Sequence, residues 1–335
     1  MEPTAGLRER EGRMLVYSDV NIDSKTAYQK IGKFIRHTPL EECKELSSIT
    51  LGQVYLKLEN WQKTGSFKLR GALNRILNLS DEERAKGVIT ASAGNHGLGV
   101  AYASQLLGIR ARVILPVSAS PTKVHMLHHF GVDVIQAGRD YDECEDVSHR
   151  IEQDCGLTFV HGFEDSRIIS GQGTVAVEIL NELPNAEIII VPVGGGGLIS
   201  GIAITAKKHK PNIRIIGVQS SASPAMYRAL KANQAIESPI HETIADGLAG
   251  RLVSPSILNT IKHYVDDLVL VDEADIFKAI VFLLQQNHVL VEGAAAVGVA
   301  ALLSQKINVE EKKCAVVLTG RNIDIDTIKM VLTKT

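Results

Sequence analysis

Cysteine is sparse and dispersed in this 335-residue chain. Cys43, Cys144, Cys155 and Cys314 form no C-x-x-C pair. That spacing argues against a disulfide framework or a zinc site and suits reduced thiols. A basic excess is missing too. The formal net charge is −2 and the sequence pI about 6.6, so nothing electrostatic favours a phosphate backbone or nucleic acid as partner. No apolar run is long enough for a membrane span. The longest, such as 188-IIIVPVGGGGLISGIAI-204, are interrupted by proline and glycines. The opening MEPTAGLRERE is polar and charged, without the apolar segment of a signal peptide. Internal repeats, low-complexity tracts and long linkers are absent as well. What remains reads as a soluble cytoplasmic protein. Its 45% hydrophobic content is ample for a large core in one unit or two lobes.

Residues 1–23 lack periodicity and read as a lead-in. Beyond them, strand-like and helix-like segments alternate. Strands are expected at 53-QVYLKLE-59, 111-ARVILP-116, 132-VDVIQA-137, 187-EIIIVPV-193, 213-IRIIGVQ-219 and 313-KCAVVLT-319. They are short, rich in Val and Ile, and apolar on both faces, as buried parallel strands should be. Helices are expected at 140–156, from an Asp to a Gly, and at 274–287, behind the acidic pair Asp272 and Glu273. The alternation predicts α/β layers with parallel sheets.

Three segments carry chemistry. In 193-VGGGGLISGIA-203 a strand runs into Gly194, Gly195, Gly196 and Gly197, and a helix begins at Leu198. Backbone N–H groups can converge there with no side chain in the way, and a helix N-terminus adds donors and a positive dipole end, which suits a phosphate. A plain strand-to-helix turn is the alternative. Four consecutive glycines weigh against it, since each costs backbone entropy. The loop lacks the Lys-Ser/Thr of a P-loop and the spacing G-x-G-x-x-G, which demotes nucleoside triphosphate and NAD.

In 63-KTGSFKLRGA-72, Lys68 opens a helix beside Ser66 and Phe67, with Lys63 and Arg70 close by. A lysine that forms a Schiff base needs an apolar flank to lower its pKa, and Phe67 is a candidate. For an isolated lysine an ordinary solvated helix face is the stronger reading, and periodicity does not decide. In 92-SAGNHGLGVA-101, Ser92, Ala93, Gly94 and Asn95 precede an apolar helix, 98–108. Hydroxyl and amide side chains beside a helix N-terminus suit a carboxylate. His96 has no Asp or Ser partner nearby in sequence, so a hydrogen-bonded loop histidine is favoured over a catalytic one.

The segments KTGSFKLRGA, SAGNHG, PVGGGGL, ADGLAG, EGAAAVGVAAL and TGRNID occur in this order and, taken together, are specific. From 36-RHTPL-40 to the C-terminus the chain resembles the serine/threonine dehydratase group of the fold type II pyridoxal-phosphate enzymes, the tryptophan-synthase-β-like superfamily. The resemblance implies a two-lobed, three-layer αβα fold. A large cofactor-binding domain would comprise 1–79 and 166–335, with a small domain, 80–165, inserted. It implies pyridoxal 5'-phosphate as cofactor and a small β-hydroxy amino acid as substrate. A homodimer or homotetramer would be the assembly.

The same resemblance implies site roles. Lys68 would be the Schiff-base lysine and the base for the Cα proton, with Phe67 beside the ring. Asn95 would bond the phenolic oxygen, and Gly194 to Gly197 with Leu198 would hold the phosphate. Ser66, Ser92, Ala93, Gly94 and His96 would surround the substrate carboxylate, with Gly247 and Glu292 lining the site. Thr319 would face the pyridine nitrogen. A hydroxyl is a neutral partner there, so the ring would stay a weak electron sink and β-elimination would be favoured over transamination.

Departures from the family pattern refine this. Thr319-Gly320-Arg321-Asn322 stands where Ser-Gly-Gly-Asn is usual. Arg321 would lie near the cofactor's far edge or point to solvent. Gln219 and Ala225 stand where metal-activated relatives carry acids, so no divalent metal is expected. Ala93 stands where racemases carry a serine acid. On the resemblance, no appended regulatory domain is expected after the segment 313–335. L-threonine or L-serine dehydration is the reading implied. Alternatives are dehydration of another β-hydroxy amino acid (a 3-hydroxyaspartate or a hydroxyectoine-derived one), serine racemisation, a β-replacement synthase, or a cofactor-binding protein without turnover.

Overall fold

A computed structural model describes Tyr17 and residues 22–334, except Ala93, Ser120 and Asp140 and the side chains of Pro121, Thr122, Lys123 and Asp142. Ten strands form two sheets: β1 (Leu40–Glu42), β2 (Gln53–Lys57), β3 (Val88–Ala91), β4 (Ala111–Leu115), β5 (Asp133–Gln136), β6 (Thr158–Phe159), β7 (Ile188–Pro192), β8 (Arg214–Ser220), β9 (Asp267–Val271) and β10 (Lys313–Val317). The larger sheet has the order β1-β2-β10-β7-β8-β9, and the smaller β5-β4-β3-β6. All pairings are parallel except β1 with β2. The smaller sheet is built wholly between Val88 and Phe159, inside the chain that separates β2 from β7.

The large sheet is buried on both faces, and the period of two sorts its residues. Ile188, Ile190, Cys314 and Val316 enter one core with the helix Gly293–Leu303. Ile189, Val191, Ala315 and Val317 enter the other with the helix Gly197–His209. The small sheet repeats the scheme, with Val88, Val113 and Leu115 on one face and Ile89, Ala91 and Ile114 on the other.

All six expected strands form, within a residue or two of their predicted ends. One differs in character: β5 is not buried on both faces. It lies at the sheet edge with Asp133 and Gln136 exposed, so its polar ends face water. Strands β1, β3, β6 and β9 were not anticipated. The first three have four residues or fewer, too short for a periodic signal. The helix Tyr141–Cys155 stops before Gly156, which takes the left-handed φ of +64°. Its expected Asp140 start lies outside the described residues. The helix Glu273–Gln286 is capped by Asp272, whose carboxylate accepts from Asp275 N. Two helices start earlier than expected, at Asn95 and Gly197, because polar and glycine first turns hide a helix from an apolar-pattern reading.

Among the described residues no helix is long and apolar enough to cross a membrane. The four cysteines are free; Cys43, Cys144 and Cys314 are buried.

Candidate active site

Strand order builds the site. The ends of three adjacent strands, β2, β10 and β7, lie side by side at the carboxyl edge of the large sheet, where ligands bind in open parallel sheets. The chain leaving β2 reaches Ser66, Phe67 and Lys68. The chain leaving β10 supplies Thr319. The chain leaving β7 forms the glycine loop. Phe67 N donates to Thr319 O (3.1 Å), and Ser66 bridges Gly320.

Lys68 is the first residue of the helix Lys68–Leu77. Helix 95–107 packs on its base so closely that a Cβ on Gly99 would lie 3.2 Å from Leu69 N. The Lys68 amine donates to Gly162 O (2.8 Å) and lies 5.5 Å from the centre of the Phe67 ring. Burial pushes its pKa down to about 8, with Glu292 working in the other direction. Relative to free lysine at 10.5, that raises the neutral fraction near pH 7 roughly 300-fold.

Gly162 leads into Phe163, and Phe163 covers the glycine loop. A Cβ on Gly195 would fall 2.4 Å from the Phe163 ring, and one on Gly197 2.7 Å from Phe163 O. Gly196 takes φ +87° and faces Ile257. Gly194 abuts Gly247 O and Leu248. A side chain would clash at Gly195, Gly196 and Gly197 and be tightly crowded at Gly194, so the loop presents backbone alone. The first N–H groups of the helix Gly197–His209 have no partner within the helix. Leu198 anchors that helix in the core. Lys68 and the glycine loop, far apart in sequence, are therefore joined through Gly162 and Phe163.

Across the cleft, Asn95 Nδ2 donates to Glu292 Oε1 (2.8 Å) and Oε2 (3.0 Å). Asn322 Nδ2 donates to Asn95 Oδ1 (2.6 Å) and to Thr64 O (2.9 Å). Glu292 N donates to Gly320 O, and Gly247 lies against Ala294 with Glu292 Oε1 at 3.9 Å from its would-be Cβ. Ser92 Oγ accepts from Gly94 N, and open space surrounds the position a Cβ on Gly94 would take. Ala93 lies outside the described residues.

His96 sits below this loop, buried. Its Nε2 bonds Val160 O at 2.9 Å. A carbonyl only accepts, so Nε2 carries the hydrogen and Nδ1 is a buried acceptor with no partner. Burial and nearby Lys68 push its pKa down to about 3, so it stays neutral. Ser66 Oγ is likewise buried and unpartnered. Arg321 is exposed, which decides for solvent; only its backbone N–H engages the site region, donating to Gly65 O. Beyond Glu292 and Asn322 lies a cavity of about 440 Å³, which Asp246, Glu273 and Phe277 also border.

Asn322, Gly162 and Phe163 had no role in the sequence reading. Asn322 stands in the segment TGRNID, and its position after a strand-end glycine was the available signal. Nothing local marks Gly162 or Phe163.

These residues fit pyridoxal phosphate: a desolvated lysine, a side-chain-free cradle at a helix N-terminus for a phosphate, and buried polar atoms between them. A family model described as "Pyridoxal-phosphate dependent enzyme" matches residues 31–320. The chain belongs to this family. It is 44% identical to the L-threonine ammonia-lyase of Thermotoga maritima over 93% of this chain and 78% of that protein. Among solved structures it resembles maize serine racemase, with TM-score 0.88, 32% identity and coverage of 96% and 98%. It also resembles the processed form of threonine deaminase isoform 2 from Solanum lycopersicum, with TM-score 0.87, 30% identity and coverage of 99% and 99%. Its fold is thus that of the fold type II pyridoxal-phosphate enzymes, α/β with parallel sheets.

Proposed function

We propose that this enzyme removes water from L-threonine, and from L-serine, to give a 2-oxo acid and ammonia. The observation that carries the reading is the convergence of Lys68, Thr319 and the glycine loop at three neighbouring strand ends. The similarity to threonine ammonia-lyases supports it. When bound, the cofactor withdraws electrons from the substrate Cα.

The chain's own residues do the rest. Gly194 to Gly197 and Leu198 hold the phosphate with backbone donors. Lys68 holds the cofactor and then accepts the Cα proton, a task its lowered pKa fits. Asn95 donates to the phenolic oxygen. The Thr319 hydroxyl would be a neutral partner for the pyridine nitrogen, which would keep the ring a weak electron sink and favour loss of the β-hydroxyl, protonated to leave as water, over transamination. Ser66, Ser92 and Gly94 receive the substrate carboxylate, and Gly247 and Glu292 wall the site. His96, neutral and bonded to Val160 O, positions this loop rather than moving protons. The eliminated enamine tautomerises and hydrolyses in water, releasing ammonia.

Serine racemisation is the second reading, favoured by the likeness to maize serine racemase. It needs a proton donor on the face opposite Lys68, and Ala93 has no proton to give. No carboxylate occupies position 219 or 225; Gln219 Oε1 instead accepts from Tyr227 N. For the dehydratase reading we propose lobes of 1–79 with 166–335 and an inserted 80–165, assembled as a homodimer or homotetramer.

One assay tests it. The purified protein is given L-threonine, L-serine and other β-hydroxy amino acids, with and without a chelator. The 2-oxo acid and D-serine are both measured. Fast 2-oxo acid formation with little D-serine, indifferent to the chelator, is the expected result. D-serine formed as fast as pyruvate overturns it.

A further inference from the structure

The amide of Asn95 could face the site with either end, and only the nitrogen can donate to an anionic oxygen. The structure fixes which. At one end of a short chain of bonds stands Thr64 O, a backbone carbonyl that can only accept. It receives Asn322 Nδ2. The second hydrogen on that nitrogen goes to Asn95 Oδ1 at 2.6 Å. At the other end Asn95 Nδ2 meets both carboxylate oxygens of Glu292, acceptors again. Two acceptor-only termini leave a single consistent direction for the chain, independent of how either amide is drawn.

Glycines in two separate segments clear the room for it. Gly65, at φ +77°, would bring a Cβ within 2.6 Å of Asn322 Oδ1, and Gly320 would bring one within 2.4 Å of Glu292 Oε1.

We infer that Asn322 is a positioning residue: together with Glu292 at the nitrogen end, it holds the Asn95 carbonyl and so keeps the NH₂, not the oxygen, on the side that would meet the cofactor's phenolic oxygen. The strand-end segment Thr319–Asn322 would then serve the cofactor twice, once at the ring nitrogen and once, through Asn95, at the phenolic oxygen. This rests on the reading of Asn95 as the phenolic-oxygen donor.

The holoenzyme's absorbance tests it. The bound form with an ionised phenolic oxygen absorbs at longer wavelength than the neutral form, and a donor to that oxygen favours it. Asn322→Ala leaves the Asn95 oxygen unheld, with Glu292 alone to orient the amide. Asn322→Asp is nearly the same shape but accepts only. It draws the Asn95 NH₂ to itself and turns the Asn95 oxygen toward the phenolic oxygen. The ratio of long- to short-wavelength bands should fall in both variants. It should fall further in the aspartate variant, by roughly tenfold, the worth of one charge-assisted hydrogen bond. A residue that merely fills space predicts the reverse order, with alanine the worse.

Gly65→Ala is a second variant, which displaces the Asn322 amide without removing a donor, and it should lower the ratio as well. Asn95→Ala is the control. If it changes the ratio and neither Asn322 variant does, the inference is wrong and the Asn95 reading stands. If Asn95→Ala leaves the ratio unchanged, both are wrong.

Discussion

Lys68 and Arg70 leave the same helix turn two residues apart, and the interior receives them differently. Arg70 is fully buried and makes two bidentate pairs. It meets Glu59 at 2.7 and 2.7 Å and Glu178 at 2.7 and 2.9 Å. Lys57, also fully buried, joins Glu178 at 2.8 Å, and Thr38 and Thr174 complete the set. Two buried cations face two buried carboxylates, and at the rim Lys57 also meets Glu182 (3.2 Å), which His37 contacts in turn. Lys68 receives one carbonyl. A desolvated cation without a partner at contact distance lowers its own pKa, whereas a paired one raises it. The fold spends carboxylates where it needs a rigid foundation under the lysine helix and withholds them where it needs a reactive amine.

Removing each cation separates the two roles most sharply. Lys68→Ala should lower turnover by at least about 10³-fold and abolish the visible band of the lysine-bound cofactor. The thermal midpoint of the cofactor-free protein should not fall. A variant that keeps the band and the rate ends the lysine assignment. Arg70→Met should do the converse. It strands Glu59 and Glu178 with Lys57 alone and should cost about 3–5 kcal/mol by urea unfolding, while any folded remainder still binds cofactor. A loss under about 1 kcal/mol would show that the cluster is not the foundation described here.

Acid and alkali sharpen the same contrast. Burial works to raise the Glu178 pKa, but Arg70 and Lys57 hold it below the usual carboxylate range. Its contribution is therefore present above that range and lost as pH falls through the depressed value. Lys68 has the opposite profile. Its folded pKa, about 8, lies below the unfolded 10.5, so the folded state bears the cost of a buried charge below pH 8 and is relieved of it as pH rises to about 10.5. Lys68→Met should accordingly stabilise the cofactor-free protein near pH 7, on the order of 3 kcal/mol. The gain should shrink between pH 8 and 10.5. A gain that is flat with pH would mean that the lysine is not desolvated.

The smallest expected effect concerns charge placed at the ring nitrogen. Thr319 is 3% exposed, and Thr319→Asp would introduce a buried carboxylate that protonates the nitrogen and strengthens the electron sink. Transamination should rise relative to elimination, measured as aminated cofactor formed against ammonia released. An unchanged partition would remove the argument from a neutral partner.

The sequence alone determined what depends on local backbone and period. Four consecutive glycines after a β-branched strand state that side chains are barred from that turn, whatever surrounds it. Apolar residues on both strand faces state that the sheet is covered twice, as the two cores flanking β7 and β10 show. Residues such as Lys68, Asn95 and Thr319 could be singled out because recurring segments carry them in order.

What each of them meets is decided by strand order, a property of long-range packing. The last strand of the chain, β10, inserts between β2 and β7. Only that insertion puts Thr319 between the lysine and the glycine loop, and Asn322 within reach of Asn95. Lys68 and Arg70 are two cations in one segment of sequence. Glu59 and Glu178 come to Arg70 from elements on either side of the inserted sheet, and among the described residues no carboxylate comes within ion-pair distance of Lys68. Tertiary packing, which sets the dielectric and the partners of each charge, made one a foundation and the other a reactive amine.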